Sequence, residues 1–323
     1  MTMPHAGTSK RIPLISIIAF VVLACGLAWL VALPLWSGDG LAHPFAGVLI
    51  SVMMFTPALA AVIVILLLRP VPKGERLRFL GIWPLRPAKR VIWLSVLGLF
   101  GPLAVIALSV AVAAVFGWVQ LDLIGFSGFA ETLEAALPAG APVPPAAVVI
   151  VSQLIAIPFA AATINAVMAF GEELGWRGFL VPALRRYGTW PALLISGAVW
   201  GLWHAPVILL GYNFGRADLT GLLFMVGGCF AWGVLLGWLR LRSASLWPAV
   251  FAHGAMNAAG ALVTLLYAAG TTFDMALAGP LGVAGWIACA VVIVGLVLTG
   301  QFRNQPELDG APGRLLSPQR DQR

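Results

Sequence analysis

The chain has 323 residues, of which 61% are hydrophobic and 10% charged, with a mean hydropathy of +0.98 and a formal net charge of +7. A soluble globular domain carries roughly a quarter of its residues as charged side chains, so this balance excludes that class and defines an integral membrane protein. The basic residues lie in short loops beside apolar segments, which makes them topology signals and excludes a basic nucleic-acid-binding domain.

Apolar runs of roughly 20 residues, long enough to cross about 30 Å of hydrocarbon, recur along the chain, whereas barrel strands would need short alternating segments. The fold class is therefore all-α: a polytopic transmembrane helix bundle of about eight spans, with a polar active site inside the bundle. Cys25, Cys229 and Cys289 fall in separate apolar segments without CxxC spacing and read as packing residues.

Residues 1–11 form a polar tail, expected in the cytoplasm. Lys10 and Arg11 followed by an apolar run, with VLAC ending at Cys25, imitate an export signal. The run continues through Leu35, so it reads as a retained first helix, about Ile12 to Trp36. An SGDG turn at Ser37 to Gly40 precedes a second helix, about Pro44 to Leu68. The next connection holds Arg69, Lys73, Arg76, Arg78, Arg86, Lys89 and Arg90 against Glu75 alone, and the positive-inside rule assigns it to the cytoplasm.

A third helix is expected over about Val91 to Val119. The segment from Gln120 to Pro145 carries Asp122, Glu131 and Glu134 without Lys or Arg and should face outward, with an amphipathic piece near Phe129 to Leu137 lying on the membrane surface. Residues 12–145 thus form a set of N-terminal membrane helices and loops, and residues 146–300 a core. From Ala146 to Arg186 the pattern stays helical for about 40 residues, roughly 60 Å, too long for one straight span, and Pro158 is the expected break.

The turn at Tyr187 to Pro191 sends a fifth helix back to about Leu210. Later helices are expected over Leu219 to Leu239, with Arg240 and Arg242 at its cytoplasmic end, Leu246 to Ala269, and Leu281 to Thr299. Eight spans put both termini in the cytoplasm of a multi-pass protein of the cell (inner) membrane. Residues 301–323 read as a disordered tail.

Inside the core, the stretches GEELGWRGF (Gly171 to Phe179), WGLWHAP (Trp200 to Pro206) and FAHGAMN (Phe251 to Asn257) place ionisable groups within apolar helices. An antiparallel hairpin about Gly188 would set Glu172 and His204 at equal depth, each about 20 Å from the turn, with His253 about 15 Å into its own helix. Glu173 and Arg177, four apart, share a helical face and can pair, while Glu172 points about 100° away as a less compensated carboxylate and a candidate general base. His253 and Asn257, also four apart, could donate to an oxyanion. His204 could orient a water against Glu172, or bind a metal such as zinc with His253 and a glutamate.

A buried Glu–Arg pair also serves as structural glue, and a lone histidine in a span as a packing residue. The tryptophans of these stretches read mainly as packing or interface residues. Convergence argues against the plain reading, because every histidine and glutamate within the expected spans belongs to this one set.

The set EExxxR, aromatic-xxxH and HxxxN resembles that of the CPBP family of intramembrane proteases, which includes the CAAX prenyl proteases of type 2 and bacterial bacteriocin-processing and immunity (Abi-like) proteins. Glu172, Glu173 and Arg177, Trp200 and His204, and His253 with Asn257 carry the resemblance, over about 90 residues; the family more often has Phe where Trp200 stands. It implies a protease core over 146–300 in which Glu172 and His204 activate water and His253 and Asn257 stabilise the oxyanion. Glu173 and Arg177 would fix the site.

The resemblance leaves open a metal-free mechanism or a divalent metal on Glu172, His204 and His253. The expected partners are the lipid bilayer and a membrane-associated peptide or protein, CAAX-like or leader-like, cleaved from the cytoplasmic side. A non-catalytic immunity or scaffold protein and a proton-coupled transporter are the rival readings.

Overall fold

The computed structural model describes residues 12–138 and 140–303; the expectations for the tails at 1–11 and 304–323 lie outside the described residues. Long apolar helices pack side by side: α1 (Leu14–Trp36), α2 (Ala46–Met53) continued by α3 (Thr56–Leu67), and α4 (Ala88–Val115). The amphipathic α5 (Ser127–Ala136) follows, then α6 (Ala146–Ala162) and α7 (Ile164–Glu173). The bundle is completed by α8 (Thr189–Trp203), α9 (Leu219–Ser243), α10 (Trp247–Ala259) and α11 (Val283–Leu298). Among the described residues β pairing is confined to a single bridge, Leu121 with Tyr267.

Six helical segments are long and apolar enough to cross a membrane, and a bent pair, Ala146–Ala162 with Ile164–Tyr187, makes up to seven. Of the eight expected, the segment after Gly188 falls short. Its helix α8 has 15 residues, about 22 Å at 1.5 Å per residue. It stops at His204, where Pro206 withholds an N–H and crowds the carbonyl one turn back, and a four-residue turn, Ala205–Ile208, takes over.

The long helical stretch from Ala146 breaks elsewhere than expected. Pro158 lies inside α6, and the 44° bend comes at Thr163, whose backbone leaves the helical region (φ −117, ψ −100). Thr163 turns its own hydroxyl back to the Phe159 carbonyl at 2.6 Å. Proline removes one hydrogen bond from a helix that packing can still hold, whereas a threonine that satisfies a carbonyl with its side chain lets the chain turn.

α10 carries His253 and Asn257. It lies against α4, α6, α7 and α9. Gly254 makes this approach feasible, since a Cβ there would stand 2.5 Å from the Ala161 carbonyl oxygen. Close backbone approach through small residues is the usual means by which apolar helices associate in lipid, where burial offers no hydrophobic gain between them.

Two ends of the bundle can be told apart by their hydrogen bonds. At one end, Arg186 donates to Ile12 O at 3.0 Å, Arg240 to Phe79 O at 2.9 Å, Leu246 N–H to Gly81 O at 2.8 Å and Trp238 to Gln301 O at 3.3 Å. These tie the start of α1, the basic connection, the end of α9 and residue 301 together. At the other end, Trp36 donates to Pro206 O at 2.8 Å, Asp122 N–H to Leu266 O at 2.9 Å, and Arg216 pairs with Asp274.

Candidate functional site

The segment after α7 is a π-helical stretch, Leu174–Leu180, wider than an α-helix and often found where a helix carries a site. It starts directly after the two glutamates and contains Arg177. Residues 171–185 are all buried, so the carboxylates need partners from the bundle itself.

Glu173 finds two, as the i, i+4 spacing indicates for the first. Arg177 Nη1 donates to Glu173 Oε1 at 2.7 Å, and His253 Nδ1 lies 2.8 Å from the same oxygen. A carboxylate can only accept, so His253 carries its proton on Nδ1 and presents Nε2 to the other side. The Arg177 guanidinium also lies over the Trp200 ring, 4.4 Å from its centroid. Arg240 braces this group from below, donating from Nε to the Arg177 carbonyl at 3.1 Å. Gly81, with φ +73, lets the basic connection fold onto Arg240, because a Cβ there would meet the guanidinium Nε at 2.8 Å.

Glu172 has a different environment, although it is only 2% exposed. Its Oε2 accepts from Trp200 Nε1 at 2.6 Å. Its Oε1 stands 4.0 Å from His253 Nε2, too far for a direct hydrogen bond. His204 Nδ1 lies 2.8 Å from the Trp200 carbonyl, which fixes its proton on Nδ1 and leaves Nε2 as the nitrogen able to meet a reactant. Asn257, one turn beyond His253, is exposed on the same cavity.

That cavity has a volume of about 760 Å³ and is lined by Glu172, Trp200, His204, His253 and Asn257. It extends from these residues to the end of the bundle opposite the basic connection, reaching Leu41, Tyr212 and Pro280. Its walls include Met53, Met54, Met168, Met225, Met256 and Met275, which are all the methionines among the described residues. Methionine is unbranched and polarizable, so such a wall can reshape around varied apolar groups.

The structure thus brings Glu172, His204, His253 and Asn257 to one cavity and puts Glu173 and Arg177 beneath it. Two contributions were not read from the sequence. Trp200 is a hydrogen-bond donor to Glu172 in addition to a packing residue; the signal available was that a buried indole N–H needs an acceptor, and a carboxylate was expected at its depth. The methionine wall had no linear signal, because its residues come from five separate segments.

A metal held by Glu172, His204 and His253 does not fit this arrangement. No group of three or more His, Cys, Asp or Glu side chains among the described residues is gathered for a metal ion. Trp200 packs against both imidazoles, with ring centroids 5.9 Å from His204 and 5.2 Å from His253, and its indole occupies one oxygen of Glu172.

Fold and site define a multi-pass helical membrane protein with a buried carboxylate–histidine centre facing an apolar cavity. Residues 147–259 match the family model described as type II CAAX prenyl endopeptidase Rce1-like. CAAX prenyl protease 2 of Methanococcus maripaludis is 31% identical over 93 residues, covering 27% of this chain and 34% of that protein. All three motifs lie inside the matched segment, which is what makes this part of the chain similar to that family. The chain spans about a third of the length of the curated relative it matches.

Proposed function

We propose that the protein is an intramembrane endopeptidase that hydrolyses a peptide bond in a membrane-associated substrate, with Glu172 as general base. The observation that carries this reading is the division of labour between adjacent glutamates. Glu173 holds both Arg177 and His253 on its Oε1 and lies outside the cavity, while Glu172, held by Trp200 through Oε2, lines the cavity.

The water that reacts enters from the cavity and gives a proton to Glu172, with His204 Nε2 accepting from it and fixing its direction. Its oxygen adds to the peptide carbonyl carbon. The Asn257 carboxamide N–H donates to the developing oxyanion, and His253, held through Nδ1–H on Glu173, does so when Nε2 also carries a proton. Collapse of the tetrahedral intermediate breaks the C–N bond, and the leaving nitrogen takes the proton held by Glu172. The methionine wall suits an apolar, conformationally varied occupant, such as a hydrophobic side chain or an attached lipid.

The test is a comparison of peptide termini by mass spectrometry in membranes from cells expressing the wild type or Glu172→Ala at matched levels. Termini present only with the wild type support proteolysis and name substrates. Identical profiles in the native organism would move the protein to a binding role.

A further inference from the structure

We propose that the cavity is entered from the non-cytoplasmic face of the membrane, so that its substrate is a peptide segment displayed on that face. The word substrate rests on the peptidase reading above; the orientation does not.

Apart from Arg177 in the interior, every described Lys and Arg except Arg216 belongs to the end of the bundle that carries the basic connection. That connection holds Arg69, Lys73, Arg76, Arg78, Lys89 and Arg90, and Arg186 and Arg240 are hydrogen-bonded into the same end. An excess of Lys and Arg in short loops marks the cytoplasmic side, and the asymmetry here is nearly complete.

The cavity belongs to the other end. Its walls run through Leu41 and Ala46 after α1, Tyr212 and Phe214 after α8, Ala261 after α10, and Pro280 before α11. No residue of the basic connection and none from Leu174 to Val199, a stretch that includes Arg185 and Arg186, lines it. Beneath Glu172 the chain is closed by the buried π-helical stretch and by Arg240, so the charged floor separates the cavity from the basic end. This replaces the expectation of cleavage from the cytoplasmic side. Counting residues along helices gives the depth of Glu172 and His204 and says nothing of the direction in which the space above them opens.

The experiment is thiol labelling of single-cysteine additions with a membrane-impermeant maleimide, in intact cells or spheroplasts and again after permeabilisation. Asp39→Cys reports on the exposed turn beside the cavity, Ala261→Cys on the cavity wall and Lys73→Cys on the basic connection. The parent chain, whose three cysteines are buried or half-buried, sets the background.

Asp39→Cys and Ala261→Cys are expected to label in intact cells at least about tenfold above background, and Lys73→Cys only after permeabilisation. Labelling of Lys73→Cys in intact cells overturns the orientation. Labelling of Asp39→Cys without Ala261→Cys overturns entry from that face. The same pattern is expected in a Glu172→Gln background, since labelling needs no catalysis. A chain that labels as expected but releases no peptide keeps its orientation and loses the peptidase reading, and the converse result does the opposite.

Discussion

The half of the molecule below Glu172 and the half above it handle polar groups in opposite ways. Below, Glu173, Arg177, His253 and Arg240 are nearly solvent-free and bonded to one another or to backbone carbonyls, with the basic connection folded over them. Above, the walls are methionine and other apolar side chains, and the ionisable groups gathered at their base are Glu172, His204 and the Nε2 edge of His253, with the Asn257 carboxamide beside them. The charged residues inside this bundle therefore serve two ends. Glu173 and Arg177 neutralise each other and hold a histidine, which makes it affordable to leave Glu172 facing a space with a single donor.

Breaking the lower half should have the largest effect on stability. Arg177→Met leaves Glu173 buried without its cation and is expected to cost about 3–5 kcal/mol, read as a lowered Tm in detergent. The double variant Glu173→Gln with Arg177→Met should recover most of that loss, because the amide oxygen still accepts from His253 Nδ1–H and no charge is stranded. Failure of the double variant to recover would contradict the view of the pair as mutual compensation.

Trp200→Phe sharpens the boundary between the halves. It keeps an aromatic ring beside both histidines but removes the indole donor to Glu172 Oε2, at an expected cost of about 1–3 kcal/mol in stability and with a clear fall in kcat. A variant with unchanged kcat would show that the indole N–H does not position the carboxylate.

In the upper half a swap that keeps volume should be mild. Met168→Leu is expected to change stability by less than about 1.5 kcal/mol while shifting KM between substrates of different apolar groups, because the wall loses adaptability and keeps its area. The smallest effect lies outside the bundle. The Ser127 side chain first, and then the backbone N–H groups of Gly125, Ile124 and Ser127, from which Asp122 accepts, hold its carboxyl down to about 2. Its folded-state value lies below the unfolded one, so the turn it closes is fully held above about pH 4 and loosens as pH falls through about 2. Hydrogen exchange at residues 122–127 reads this directly, and Asp122→Asn should show the loosened rate at every pH.

Much of the site was legible because its chemistry is written at helical spacing. Glu173 with Arg177 and His253 with Asn257 follow from i, i+4, and the apolar context made each ionisable residue conspicuous. The bundle class followed from hydropathy. What escaped the sequence was geometry across elements. The bend falls at Thr163 instead of Pro158, where the Thr163 hydroxyl satisfies the Phe159 carbonyl and lets the chain turn. The fifth expected span ends early because Pro206 follows His204, a break whose consequence depends on what receives the chain beyond it. The bond from His253 to Glu173 joins residues 80 apart and could not be separated from a contact with Glu172 by depth alone.

The measurement that tests the account most directly is peptide hydrolysis by the purified protein in lipid nanodiscs, wild type against Glu172→Gln, with Tm recorded for both. Glutamine is isosteric and can still accept from Trp200, so the account predicts an unchanged Tm within about 1 kcal/mol of stability and a fall in rate of about 10²–10⁴-fold. Full hydrolysis by Glu172→Gln would contradict it and remove the upper carboxylate from the chemistry.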